Sequence, residues 1–177
     1  MARATRGRRR AIERWPMPEG LSGELEAGLR EWLAVCGAAE IASFVTVPSA
    51  AVAEAWRRLA AGDGYAETCR DAFGVVLPPV DVGRLDERRR AGGIARTWAV
   101  CCSREGLDQL EPRRMPGLFT LDRRIGHPGG MLWEATGDDP PVRLAAGPEP
   151  LIACAWPQSP VAALLHVRFG AGMYSAT

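Results

Sequence analysis

Residues 47–79 read VPSAAVAEAWRRLAAGDGYAETCRDAFGVVLPP, and the spacing of their apolar side chains decides the fold. Ser49 offers a hydroxyl where a helix begins, which can cap the first free backbone N–H groups. Val52, Trp56 and Leu59 then recur on one helical face, with Glu54, Arg57 and Arg58 turned away. Gly62-Asp63-Gly64 breaks this helix. Tyr65, Cys69 and Phe73 make a second stripe at four-residue spacing, and Gly74 ends it. A connection this short makes the two helices neighbours, packed as an antiparallel hairpin. Val75 to Val80 leaves as an extended apolar segment through Pro78-Pro79.

Toward the N-terminus, Ser22 caps another helix with Glu24 and Glu26 in its first turn, where the helix dipole favours anions. Leu25, Leu29, Trp32, Leu33 and Cys36 form its apolar face, and Gly37 is the expected stop. Residues 38–44 read as a short helix before an extended Val45-Thr46-Val47. Toward the C-terminus, residues 84–90 are a charged linker or helix start, and Gly92-Gly93 resets the chain. Ile94, Trp98, Cys101 and Cys102 mark a helix that ends at Gly106. Residues 107–116 form a proline-pinned loop, and Pro116 opens a short helix carrying Leu118, Phe119, Leu121 and Ile125. From His127 onward, glycine and proline turns separate short strands at 131–135, 142–145 and 151–156; residues 161–169 fit a strand or a helix. The expected fold is mainly α: a multi-helix domain over residues 15–126, a turn-rich extension over 127–177 with short strands packed on it, and a flexible Arg-rich tail over 1–14. An α+β arrangement is the alternative.

Composition narrows the function. The chain has 177 residues, a net charge of +1, and 22 basic residues that are all arginine, with no lysine and no asparagine. Lysine Schiff-base chemistry and a phosphate-loop lysine are therefore excluded. The near-neutral balance argues against a nucleic-acid binder, although Arg3, Arg6, Arg8, Arg9 and Arg10 crowd the N-terminal segment. Apolar runs such as 151–156 and 161–167 are too short to cross a bilayer, and no secretory leader is recognisable, so no membrane role is expected and the cytoplasm is the expected compartment. The five cysteines, Cys36, Cys69, Cys101, Cys102 and Cys154, lack C-x-x-C spacing and read as free, core-filling thiols.

The hairpin resembles small bacterial glycine-rich-domain-containing proteins. The match runs through Val47-Pro48-Ser49-Ala50-Ala51-Val52-Ala53-Glu54-Ala55-Trp56, then Tyr65, Cys69 and Phe73-Gly74. A second block fits as well: Gly93 to Trp98, Cys102, Glu105-Gly106, Pro112, Pro116, Leu118-Phe119, Leu121-Asp122 and Ile125-Gly126. In that family the hairpin carries an aspartate, a histidine after the tryptophan and paired histidines after Phe-Gly. Here those positions hold Ala53, Arg57, Pro78 and Pro79. The resemblance implies a member that keeps the packing residues and lacks the polar set that could bind a metal or move protons.

Other catalytic sets are thin. No phosphate loop, dinucleotide fingerprint, H-E-x-x-H or G-x-S-x-G occurs. His127, in the Gly126-His127-Pro128-Gly129-Gly130 loop, is the best loop candidate, with Cys102 as a conceivable nucleophile beside it and His166 as the other imidazole. The carboxylates Glu67, Asp71, Asp108, Glu111 and Asp122 read as solvated faces. Six tryptophans are many for this length; Trp32, Trp56 and Trp98 fit helix cores, whereas Trp15, Trp133 and Trp156 lie in or near loops, where they could anchor a partner. No metal site and no cofactor are implied. The leading expectation is a non-catalytic protein-binding module, such as an accessory subunit of an enzyme complex. The alternative is a small enzyme or metal-binding protein using His127. A small-molecule ligand is left open.

Overall fold

The structure, a computed structural model, describes residues 2–39 and 44–165, the first five of them by backbone alone. In chain order the elements are α1 (Ala2–Arg14), α2 (Gly23–Ala38), β1 (Phe44–Thr46), α3 (Ala50–Ala61), α4 (Tyr65–Phe73), β2 (Pro79–Asp81), α5 (Glu87–Glu105), α6 (Gly117–Arg124), β3 (Leu132–Ala135), β4 (Val142–Ala146) and β5 (Ile152–Ala155). The result is an α+β domain in which helices dominate and two small sheets join them.

The α3–α4 hairpin forms as its pattern predicts. Ser49 Oγ accepts from the Val52 amide, Gly64 and Gly74 flank α4 with positive φ, and Trp56, Tyr65, Cys69 and Phe73 are buried. Its two helices and the segment after them are tied by one relay. Trp56 Nε1 donates to the Tyr65 hydroxyl (2.9 Å), which donates to the Leu77 carbonyl (2.6 Å). Trp32 of α2 packs edge-on against Trp56, with ring centroids 5.3 Å apart. Such tilted aromatic pairs add about 0.5–1.5 kcal/mol beyond the area they bury.

Several expectations change. The Arg-rich segment is helix α1, docked against α2 and α4. Arginine is a good helix former, and Ile12 and Trp15 supply the buried anchors. Arg8 donates to the carbonyls of Ala72 and Gly37, while Arg30 of α2 donates to those of Ile12, Glu13 and Trp15. Gly37 lies inside the last turn of α2, where a Cβ would stand 2.8 Å from Arg8 Cδ and 2.9 Å from the Phe73 ring. Gly92-Gly93 does not interrupt the chain either: α5 runs straight through both. A Cβ on Gly93 would meet Thr46 Oγ1 at 2.2 Å, so this glycine lets α5 lie directly on β1. Thr97, one turn on, bonds both the amide and the carbonyl of Thr46.

The strands after His127 form much as expected, but they do not make a separate extension. β5 is the middle strand of a sheet ordered β1-β5-β2, antiparallel to both, with Val45 opposite Cys154 and Val80 opposite Ala153. The extended segments on either side of the helical hairpin are therefore completed by a strand more than 70 residues later in the chain. β3 and β4 form a second, two-stranded sheet. Residues 161–165 are turns; the remainder of 161–169, the end of the chain and most of 38–44 lie outside the described residues. No described helix is long and apolar enough to cross a membrane.

Candidate functional site

The five thiols and His127 do not assemble into a nucleophilic site among the described residues. All five cysteines are buried and free. Cys102 lies in the core at the end of α5, where burial first, then the charges of Glu105 and Asp108, push its thiol up to about 11. A reactive cysteine needs the opposite: a thiolate favoured by cations or a helix N-terminus. Burial likewise raises Cys69 to about 11 and Cys36 and Cys101 further. His127 is half-buried in the turn after α6, its amide donating to the Asp122 carbonyl and its carbonyl accepting from Gly130. Among the described residues no hydrogen bond joins it to Cys102, and no group of His, Cys, Asp and Glu has metal-holding geometry. His166 lies outside the described residues. At the positions where the resemblance expects polar groups, Ala53 is buried, Arg57 is exposed, and Pro78 and Pro79 are half-buried.

Asp122 departs most from its expected role. Its carboxylate is 3% exposed and accepts four bonds: from Ser49 Oγ (2.5 Å) and the Ala51 amide (3.2 Å) at Oδ1, and from the Ala50 (2.7 Å) and Met131 (2.8 Å) amides at Oδ2. It sits at the N-terminus of α3, where unpaired amides and the dipole both favour an anion. Gly130 makes room for it, since a Cβ there would stand 2.6 Å from Asp122 Cβ. With both oxygens taken up by internal donors, the carboxylate has little left to offer a ligand. Its role is to clamp α6, α3 and the entry to β3 together. The sequence did hold a signal. Asp122 follows Leu118 by four residues and Phe119 by three, so it belongs to the buried stripe of α6 and not to a wet face.

The three loop tryptophans separate. Trp15 is 2% exposed, packed against Tyr65 and Phe73, and Trp156 is 4% exposed with Nε1 donating to the Cys36 carbonyl. Neither presents its ring to a partner, because both rings are packed inside the core. Trp133 is different. It is half-buried on β3, held by Nε1–H to the Pro48 carbonyl (2.7 Å) and by an edge contact with Phe119.

Trp133 also lines a cleft of about 370 Å³ between the first half of α5 and the β3–β4 hairpin. Ile94 and Ala95 of α5 face Val142 and Leu144 of β4 across it. Of the four charged residues that line it, Arg90, Arg143 and Glu149 have an ion-pair partner, and Glu87, in the first turn of α5, has none among the described residues. Arg90 lies 3.5 Å from Glu149, and Arg143 of β4, 2.9 Å from Glu134 of β3, pairs across the strands. The floor itself is neutral and apolar. β4 pairs only with β3 among the described residues, which leaves its other edge of backbone groups without a strand. Leu132, the first residue of β3, and Leu151, just before β5, remain 41% and 40% exposed.

The family model described as UCP032817-like matches residues 13–143, most of the chain, and the chain belongs to that family. The matched residues span both sequence blocks on which the resemblance to glycine-rich-domain-containing proteins rests; the model bears another description. No curated protein and no solved structure matches the chain.

Proposed function

We propose that the protein is a non-catalytic binding module that receives an extended, apolar segment of another protein along β4. The observation that carries this reading is the coincidence of an open strand edge with an apolar cleft directly beside it. A peptide added to β4 gains backbone hydrogen bonds from the edge, and every second side chain can enter the cleft. The floor of Ile94, Ala95, Trp133, Val142 and Leu144 suits one or two apolar side chains, and its volume falls in the range of about 300–1,000 Å³ that binding pockets occupy. Because three of the four lining charges are already paired, the reading commits to an uncharged, apolar segment. The buried, unactivated thiols and the fully engaged Asp122 supply the second half of the argument: the well-formed polar groups of this fold are spent on holding it together.

The test is site-specific photocrosslinking in the source cells. A crosslinker at exposed Ala145 on β4 should capture one protein through an apolar stretch of its chain, whereas a crosslinker at exposed Arg57 on α3 should not. Leu144→Arg should abolish the capture while leaving the unfolding midpoint close to that of the parent protein. Equal capture from both positions, or capture that survives Leu144→Arg, would overturn the proposal.

A further inference from the structure

A second cavity, of about 550 Å³, lies on another side of α5 and has the opposite character. Three arginines line it: Arg88 and Arg89 from the first turn of the helix and Arg96 two turns further on. Arg96 is half-buried. Its Nε donates to the Phe44 carbonyl (2.7 Å), and its guanidinium carbon stands 4.3 Å from the centroid of the Phe44 ring. These contacts occupy one edge and one face of the guanidinium and leave both Nη groups without a carboxylate among the described residues. Burial shifts Arg96 downward. Arg104, near the end of the same helix, makes the contrast: it is held in a two-bond fork by Glu31.

Asp86 is the single acidic group lining the cavity among the described residues, and it is committed. One oxygen caps α5 by accepting from the Arg89 amide (2.8 Å), and the other lies 3.6 Å from Arg89 Nε. The local balance is three guanidinium groups against one carboxylate. Taking a cation partly out of water is costly unless an anion accompanies it, and the described residues place none beside Arg96.

We infer that this cavity is a binding site for a small molecule bearing a phosphate monoester, gripped by the free Nη edge of Arg96 and covered by Arg88 and Arg89. A phosphate dianion carries twice the charge of a carboxylate and presents its oxygens in several directions, so guanidinium forks from three arginines can reach it at once, whereas a planar carboxylate offers its oxygens along one edge. The ring of Phe44 holds Arg96 in place before the ligand arrives, which lowers the ordering cost of binding.

Inorganic phosphate is the probe. Calorimetric titration of the full chain, at ionic strength held constant with sodium chloride, should give saturable binding to phosphate and none to acetate. Arg96→Gln should weaken phosphate binding by about tenfold or more, the loss expected for charge-assisted hydrogen bonds. Arg96 also contacts Phe44, so the exposed pair Arg88→Gln/Arg89→Gln serves as a second variant that spares the core, and it too should weaken binding. Arg57→Gln, on α3, should leave it unchanged. The inference fails if phosphate gives no more heat than chloride, if acetate binds equally, or if the double variant binds as the parent does.

Discussion

Replacing Asp122 by asparagine changes one oxygen to an NH2 group and nothing else in size, so it isolates the clamp. Each carboxylate oxygen accepts two bonds: Ser49 Oγ and the Ala51 amide at one, the Ala50 and Met131 amides at the other. Whichever oxygen becomes nitrogen, two donors lose their acceptor and face a donor instead. Hydrogen bonds to a charged group contribute about 1.5–3 kcal/mol each, so the loss is about 3–6 kcal/mol. Against a total stability of about 5–15 kcal/mol for a domain, that is a large fraction. With a urea dependence of about 2 kcal/mol per molar, the midpoint should fall by roughly 1.5–3 M. Tryptophan fluorescence follows it directly, because Trp133 sits on the strand whose entry Asp122 holds. The exposed carboxylate Glu67 provides the scale: Glu67→Gln should cost under about 0.5 kcal/mol. A loss under about 1 kcal/mol for Asp122→Asn would refute the reasoning, since it would mean the two displaced donors find other partners at no cost.

Four further outcomes are expected. Tyr65→Phe should lower stability by about 1–3 kcal/mol in urea unfolding, because Trp56 Nε1 and the Leu77 carbonyl both lose a buried partner. Gly93→Ala should destabilise by more than the gain of about 1 kcal/mol that alanine normally brings inside a helix, because the added methyl would fall 2.2 Å from Thr46 Oγ1 and 2.6 Å from the Phe44 ring. The cysteines should resist a thiol reagent at neutral pH until urea opens the fold. They also set a pH dependence: an acid whose folded pKa is raised stabilises the fold fully below its unfolded value and loses that contribution as pH climbs. For Cys69 and Cys102 the window runs from about 9 to about 11, so the urea midpoint should be flat near neutrality and fall above pH 9.

What the sequence made legible was local. Stripes such as Val52-Trp56-Leu59 and Tyr65-Cys69-Phe73 state the period and the buried face of a helix within a dozen residues, and the capping serines Ser22 and Ser49 mark where helices begin. What it hid was long-range. Nothing near Cys154 says that its strand will lie between residues 44–46 and 79–81. Gly92-Gly93 looks like a break because glycine usually is one; here the close approach of β1 reverses the reading at Gly93. Arginine in a run looks solvated, yet Ile12 and Trp15 at its end supply enough burial to dock the helix. Of the candidate partner-binding tryptophans, only Trp133 reaches a cleft, because whether an indole N–H near a loop turns inward depends on a carbonyl far away in sequence: Cys36 for Trp156, Pro48 for Trp133. Asp122 shows the same limit, its carboxylate finding Ser49 across 73 residues.

The most direct measurement of the central claim is amide hydrogen exchange on the complex with the captured partner. If a segment of that partner adds to the open edge, the outward-facing amides of β4, residues 142–146, should slow on binding, together with those at the apolar side of α5 near Ile94. Protection confined to other surfaces, with β4 exchanging as in the free protein, would contradict the account.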